Sequence, residues 1–172
     1  LSGGPAAAVV PTVAHRTVAP IAVPHAAGTT APNWYEAEVL RLTNKARGRA
    51  RTCGGVRMKE AKKLRWSSKL SATAEAHSKD MSTRDYFSHY APDGTSPFTR
   101  IRAPGYEYRA AGENIAAGGS LASPKAVVNA WLKSPGHCKI IMKRVFRQLG
   151  VGRIEGTGKW HVYWTQNFGR RR

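Results

Sequence analysis

Carboxylates are scarce in this chain. Its 172 residues carry 10 Asp and Glu against 28 Lys and Arg, a formal charge of +18 with a pI near 10.7. Self-association is opposed by such a field, and anionic partners are favoured. Cysteine is nearly absent too: Cys53 and Cys138 are the whole complement. Two thiols cannot build a Cys-rich tetrahedral zinc site, and without a C-x-x-C pair there is no redox motif. An even pair suggests one disulfide in an oxidising compartment, worth roughly 4 to 5 kcal/mol by chain entropy. Two reduced, buried thiols are the open alternative.

Long apolar runs are missing as well. AAAVVPTVAH is cut by Pro11 and His15, so no stretch reaches the length of a membrane span and no charged-then-apolar signal is visible. There is no H-E-x-x-H, G-x-S-x-G or G-K-[ST], which removes the main support for zinc peptidase, hydrolase-elbow and nucleotide-loop chemistry. None of the asparagines is followed two places on by Ser or Thr, so Asn-linked glycosylation has no acceptor. The basic residues between Arg41 and Lys69, opposed there only by Glu60, have the sign of a nucleic-acid footprint. No zinc finger, heptad zipper or RNP-type aromatic stretch accompanies them.

With 41% hydrophobic residues, the chain suits one domain with a core, expected to be a monomer. Residues 1–31, rich in Ala, Val and Pro, read as a flexible leader. The domain proper occupies 32–169, and 170–172 form a basic tail. Its first helix opens at PNWYEAEVLRLTNKAR, where Asn33 and Glu36 have the spacing of a capping box and Tyr35, Val39, Leu42 and Ala46 share one face. A second helix runs through SSKLSATAEAHSKDMSTRD, with Leu70, Ala74, His77 and Met81 on its stripe. SPFTRIR predicts a short turn of helix. SPKAVVNAWLK predicts a longer one, capped by Ser123 and stopped by Pro135-Gly136. Strand signals come late: QLGVGRI and KWHVYWTQNFG read as a hairpin with one face buried, and a third strand is expected around GENIAAG. Helices first and a hairpin last argue for an α+β fold.

Three polar groups stand in Gly- and Pro-punctuated, loop-like settings: His89 in YFSHYAPDGTSPF, Glu113 in AGENIAAG and His137 in SPGHC. Two imidazoles and a carboxylate are a ligand set that zinc accepts, with a fourth position left for water. The same set also suits a hydrogen-bonded cluster in which Glu113 fixes one imidazole's tautomer. Asn114 and Ser134 are the candidates to line a cleft beside these groups, Asn114 as an orienting partner of Glu113 or else as a turn residue. His77, on an apolar stripe, reads as packing, as do Trp131, Trp160 and Trp164. Tyr86, Tyr90 and Tyr108 are either cleft-lining or core, and Gln166 and Asn167 receive no role.

The ordered set HSKDMSTRDYFSHYAPDGTSPFTRI, GYEYRAAGENIAAG, VVNAWLKSPGHCKIIM, FRQLGVG and YWTQNFG resembles the CAP superfamily. This group comprises cysteine-rich secretory, antigen 5 and pathogenesis-related 1 proteins, also called SCP domains, and the resemblance is strongest to its microbial branch. It implies a three-layer α-β-α sandwich around an antiparallel sheet, and secretion. A cleft of two histidines and two acids is implied too, with His89 and His137 as the histidines and Glu113 as the first acid. Ser134 occupies the position of the second acid, which leaves the histidines as the core of a divalent-metal site, zinc above all. Cys138 is then expected to turn away from the cleft and bond Cys53.

Three classes of function follow from this. The first is a secreted binding module with a metal cleft, whose partners are lipid or sterol, or an anionic cell-surface polymer, with peripheral membrane contact. The second is a zinc-dependent, peptidase-like hydrolase with Glu113 as general base. The third, resting on charge alone, is a nucleic-acid binder or nuclease.

Overall fold

The computed structural model describes residues 31–172. Apart from Ala31, the sequence-predicted leader lies outside the described residues. Helix α1 (Trp34–Arg47) opens on the expected capping box: Glu36 N–H donates to Asn33 Oδ1 at 3.1 Å, and Asn33 N–H donates to Glu36 Oε2 at 2.9 Å. Val39 and Ala46 are buried, whereas Tyr35 stays at the surface, edge-on to Trp164 and beneath the Arg153 guanidinium. A hairpin the sequence reading did not anticipate follows, β1 (Arg51–Cys53) and β2 (Val56–Met58). Its turn depends on Gly54 and Gly55 at φ of 57° and 82°, left-handed backbone that glycine adopts without a Cβ clash.

After β3 (Arg65–Trp66) comes α2 (Ser68–Thr83), capped by Ser67, with Leu70, Ala74, His77 and Met81 all buried as their spacing predicts. The short helix α3 (Pro97–Arg102) is capped by Ser96 with Pro97 in its first turn. Next are β4 (Tyr108–Ala117), a 3-10 turn at Gly119–Leu121 and α4 (Pro124–Lys133). Helix α5 (Pro135–Met142), β5 (Gln148–Glu155) and β6 (Val162–Arg171) complete the chain.

Four strands form the central sheet in the order β3-β5-β6-β4, with β5-β6 and β4-β6 antiparallel. Strand β3 pairs with β5 in parallel, so the sheet is mixed at that edge. Helices α1, α4 and α5 cover one face, and α2 and α3 cover the other. The expected α-β-α sandwich is therefore present.

Four sequence expectations need correction. The late hairpin does not have one buried face: Tyr163 and Asn167 are as buried as Val162 and Trp164, because helices lie on both sides. Trp160 precedes β6 and sits in the connection, packed against Phe87 and Tyr163. The basic tail is mostly strand, since β6 continues to Arg171 and Arg170 pairs with Ala110. Finally, Pro135-Gly136 ends α4 but also starts α5, because proline's missing N–H costs nothing in a first turn. His137 is thus helical and Glu113 lies mid-strand, neither of them in a loop.

Candidate functional site: a histidine cleft at the edge of the sheet

Strand β4 is an outer strand, and alternation sends its neighbouring side chains to opposite layers. Glu113 goes to the α2/α3 side and Asn114 to the α5 side. Glu113 is met by His89, from the segment between α2 and α3, and by Arg100 from α3. His89 Nδ1 lies 2.8 Å from Glu113 Oε1, and Arg100 Nη2 donates to Oε2 at 3.0 Å and to Oε1 at 3.2 Å. The Glu113 side chain is only 2% exposed, while that of His89 is 43% exposed. A carboxylate accepts, so His89 donates through Nδ1, and Nε2 has no hydrogen-bond partner among the described residues.

Arg100 also closes the segment that carries His89, donating from Nη2 to the His89 carbonyl at 2.8 Å and from Nη1 to the Thr95 carbonyl at 3.0 Å. The sequence reading missed Arg100. The signal for it was a nearly isolated acid in a buried strand, since an ionised carboxylate there requires a cationic partner. His77 holds the segment from the other side. Its Nε2 donates to the Ser88 carbonyl at 3.0 Å, and burial pushes its pKa down. The expectation that His77 is a packing residue agrees with this placement.

His137 approaches from the opposite layer on α5, in the first turn of the helix. Its Nδ1 lies 2.9 Å from Ser134 Oγ, leaving Nε2 unused. Burial lowers its pKa, with a further push from the His89 imidazole across the cleft, so both effects favour the neutral, lone-pair-bearing ring. Asn114 was expected to line the cleft. Instead it is fully buried behind it, donating to Gln166 Oε1 at 3.1 Å and to the His137 carbonyl at 3.4 Å. Of the two cleft-lining candidates, only Ser134 is solvent-accessible.

Next to His137, Cys138 is buried and bonded to Cys53, with Cα atoms 5.5 Å apart. The bridge ties the β1-β2 hairpin to α5, and the two adjacent side chains diverge as expected. Arg47 secures the far end of α5. Its buried guanidinium donates to the Ile141, Lys143 and Lys62 carbonyls, and burial brings its pKa down to about 10. These two attachments fix the helix that carries His137.

Among the described residues, no three His, Cys, Asp or Glu side chains converge as a metal-holding group. The expected triad of His89, His137 and Glu113 is therefore not assembled as three ligands. Glu113 is turned into Arg100 and the Nδ1 side of His89, so its place is behind the imidazole. Both histidines use Nδ1 within the fold, His89 toward Glu113 and His137 toward Ser134, and neither Nε2 has a hydrogen-bond partner among the described residues.

The sequence that builds these elements matches a known family. The profile of the cysteine-rich secretory protein (CAP) family covers residues 40–168. The chain belongs to the CAP family. It is 38% identical over 134 residues to the uncharacterized protein YkwD of Bacillus subtilis, covering 78% of this chain and 46% of that one. An extracellular SCP-domain protein of Bacillus anthracis has a similar structure, with a TM-score of 0.67 and 31% identity over 80% of this chain and 40% of that one. An outer surface protein of Borrelia burgdorferi shares the fold at a TM-score of 0.62 and 22% identity, covering 79% and 89% of the two chains. The chain thus spans less than half the length of the two Bacillus relatives.

Proposed function

We propose that this CAP domain is a secreted binding module whose cleft takes a divalent metal ion, zinc first, on Nε2 of His89 and of His137. Its partners would be lipid or sterol, or an anionic cell-surface polymer. The observation that carries the reading is the 2.8 Å contact of His89 Nδ1 with Glu113 Oε1, which uses Nδ1 and leaves Nε2 as the ring nitrogen for a ligand. Glu113 acts from behind as the carboxylate of a carboxylate-histidine-metal arrangement, and Ser134 orients His137 in the same way. A bound ion would bridge the two layers across the edge of β4. Secretion is supported by the disulfide, which persists in oxidising compartments, and by relatives described as extracellular or outer-surface proteins.

The hydrolase alternative asks more of Glu113 than its setting offers. A zinc ion in the cleft would polarise water, but Glu113 is buried behind His89 with Arg100 against its oxygens. A general base must reach the proton it removes. The binding reading uses the same contacts without that demand.

The test is calorimetric zinc titration of metal-stripped protein at fixed pH, beside His89→Ala and His137→Ala. One-site binding lost in both variants is expected. Binding unchanged in either variant overturns the site. Peptide, ester and phosphodiester substrates with added zinc test the alternative: turnover abolished by Glu113→Gln would restore it.

A further inference from the structure

On the face of the α1 layer away from the sheet, a groove of about 480 Å³ lies between α1 and α4 and continues to β1. Its floor is apolar, made of Ala46 and Val128, with Leu42 and Leu132 half-buried along the walls. Five cations line it: Arg41, Lys45, Arg49, Arg51 and Lys125. Glu38 is the single acid of the lining, and it is already spent on Arg41 in a two-bond pair with N–O distances of 2.6 and 2.7 Å. Among the described residues, no carboxylate pairs with Lys45, Arg49, Arg51 or Lys125. The Arg51 Nε–H is shielded from solvent and has no acceptor.

We propose that this groove binds an acidic polysaccharide, a chain of sugars carrying carboxylate or sulfate groups. The inference rests on the reading of the chain as a binding module and is independent of metal at His89 and His137. Sugar rings have apolar C–H faces that pack on Ala46, Val128 and Leu132, while their anionic substituents meet cations along both rims. Arg41 and Lys45 are one helical turn apart, about 6 Å along the α1 axis, so successive charges of an extended chain can be met in register. Single-stranded nucleic acid has the right charge, but no aromatic side chain lines the groove for its bases to stack on. A bilayer is flat, and the groove is concave.

The test is titration of the full chain with polygalacturonate and with dextran sulfate, in chelator to remove any metal. The parent is compared with K45E/R49E, with the equally charge-reversed control R57E/K59E, and with Leu132→Ser. We expect binding at least tenfold weaker in K45E/R49E and within twofold of the parent in the control. Leu132→Ser should weaken polysaccharide binding while leaving affinity for inorganic polyphosphate, which has no apolar face, unchanged. Equal losses in both charge-reversed variants would reduce the effect to net charge and overturn the proposal. So would tighter binding to oligo-dT or to anionic vesicles than to either polysaccharide. Because chelator is present throughout, failure here leaves the zinc titration of the histidine cleft untouched.

Discussion

Arg100 and Glu113 form an ion pair inside the fold, with Nη2 3.0 Å from Oε2 and side chains only 13% and 2% exposed. Removing the cation strands the carboxylate, and breaking a buried pair from one side costs about 3 to 5 kcal/mol. Arg100→Met should therefore lose roughly 3 kcal/mol in denaturant unfolding, an estimate from the same range. The double variant R100M/E113Q, which removes both charges, should recover a substantial part of that loss. If the double variant is no more stable than the single one, the pair does not account for the cost.

In the proposed site, Glu113 would act on a bound metal through its contact with His89 Nδ1. Gln at this position keeps the shape, but its amide can present either an acceptor or a donor to His89 Nδ1, so the tautomer is no longer fixed. Loss of such an outer-shell partner weakens metal affinity by about 10- to 100-fold. Glu113→Gln should fall in that range by zinc calorimetry, with one-site stoichiometry kept. Complete loss, equal to that of His89→Ala, would make Glu113 a direct ligand.

The helices were legible because their signals are local. The Asn33-Glu36 box, the stripe from Leu70 to Met81, the short helix at SPFTRIR and the cap Ser123 are signals within one element, and each appears where expected. What the sequence concealed depends on contacts between distant segments. The alternation in β6 was read as one buried face because nothing local shows that a second helical layer covers Asn167 and Tyr163. Gln166 and Asn167, without a role in the sequence reading, reach opposite layers, Gln166 to Thr43 of α1 and Asn167 to Thr73 of α2. In the site, His89 and Glu113 were singled out by their settings and do meet. Arg100 and the true direction of Asn114 emerge only from the register of β4 against its neighbours.

Stability should fall as the medium becomes mildly acidic, with His77 as a principal cause. Its pKa in the fold is pushed below the ordinary value of about 6.5 by burial, so the unfolded chain binds more protons than the native one between the two values. The contribution is fully present above about pH 6.5 and is lost as pH falls through the lower folded value. His137 is shifted in the same direction and adds to the slope. Denaturant midpoints measured from pH 7.5 to 5 should decline, and His77→Gln should flatten the decline even if it lowers the midpoint throughout. An unchanged slope in that variant would remove His77 as the source.

The Cys53–Cys138 bridge closes a loop of 85 residues. Chain entropy alone assigns such a bridge about 4 to 5 kcal/mol. C53S/C138S should lose on the order of that amount in chemical unfolding. The loss should be accompanied by weaker zinc binding, because the bridge holds α5 beside β1. Zinc affinity equal to the parent's under native conditions would show that Arg47 alone suffices to hold the helix.

Strand β5 has glycine at 150 and 152, and α2 lies directly on them. A Cβ at Gly150 would stand 2.1 Å from the Ser71 backbone nitrogen, and one at Gly152 would stand 2.2 Å from that of Glu75. Both contacts are with backbone, so no rotamer change relieves them and α2 must lift from the sheet. Overpacking of a core typically costs 1 to 3 kcal/mol, and a rigid clash of this kind should lie at or above roughly the upper end. Because α2 carries His77, which holds the His89 segment through Ser88, lifting the helix should also disturb the cleft. Gly152→Ala is therefore expected to lower the thermal midpoint sharply and weaken zinc binding together. Gly119→Ala, whose added methyl meets nothing within 4 Å, should change neither. A Gly152→Ala protein as stable as the parent would mean that α2 does not sit against the strand as closely as these distances require.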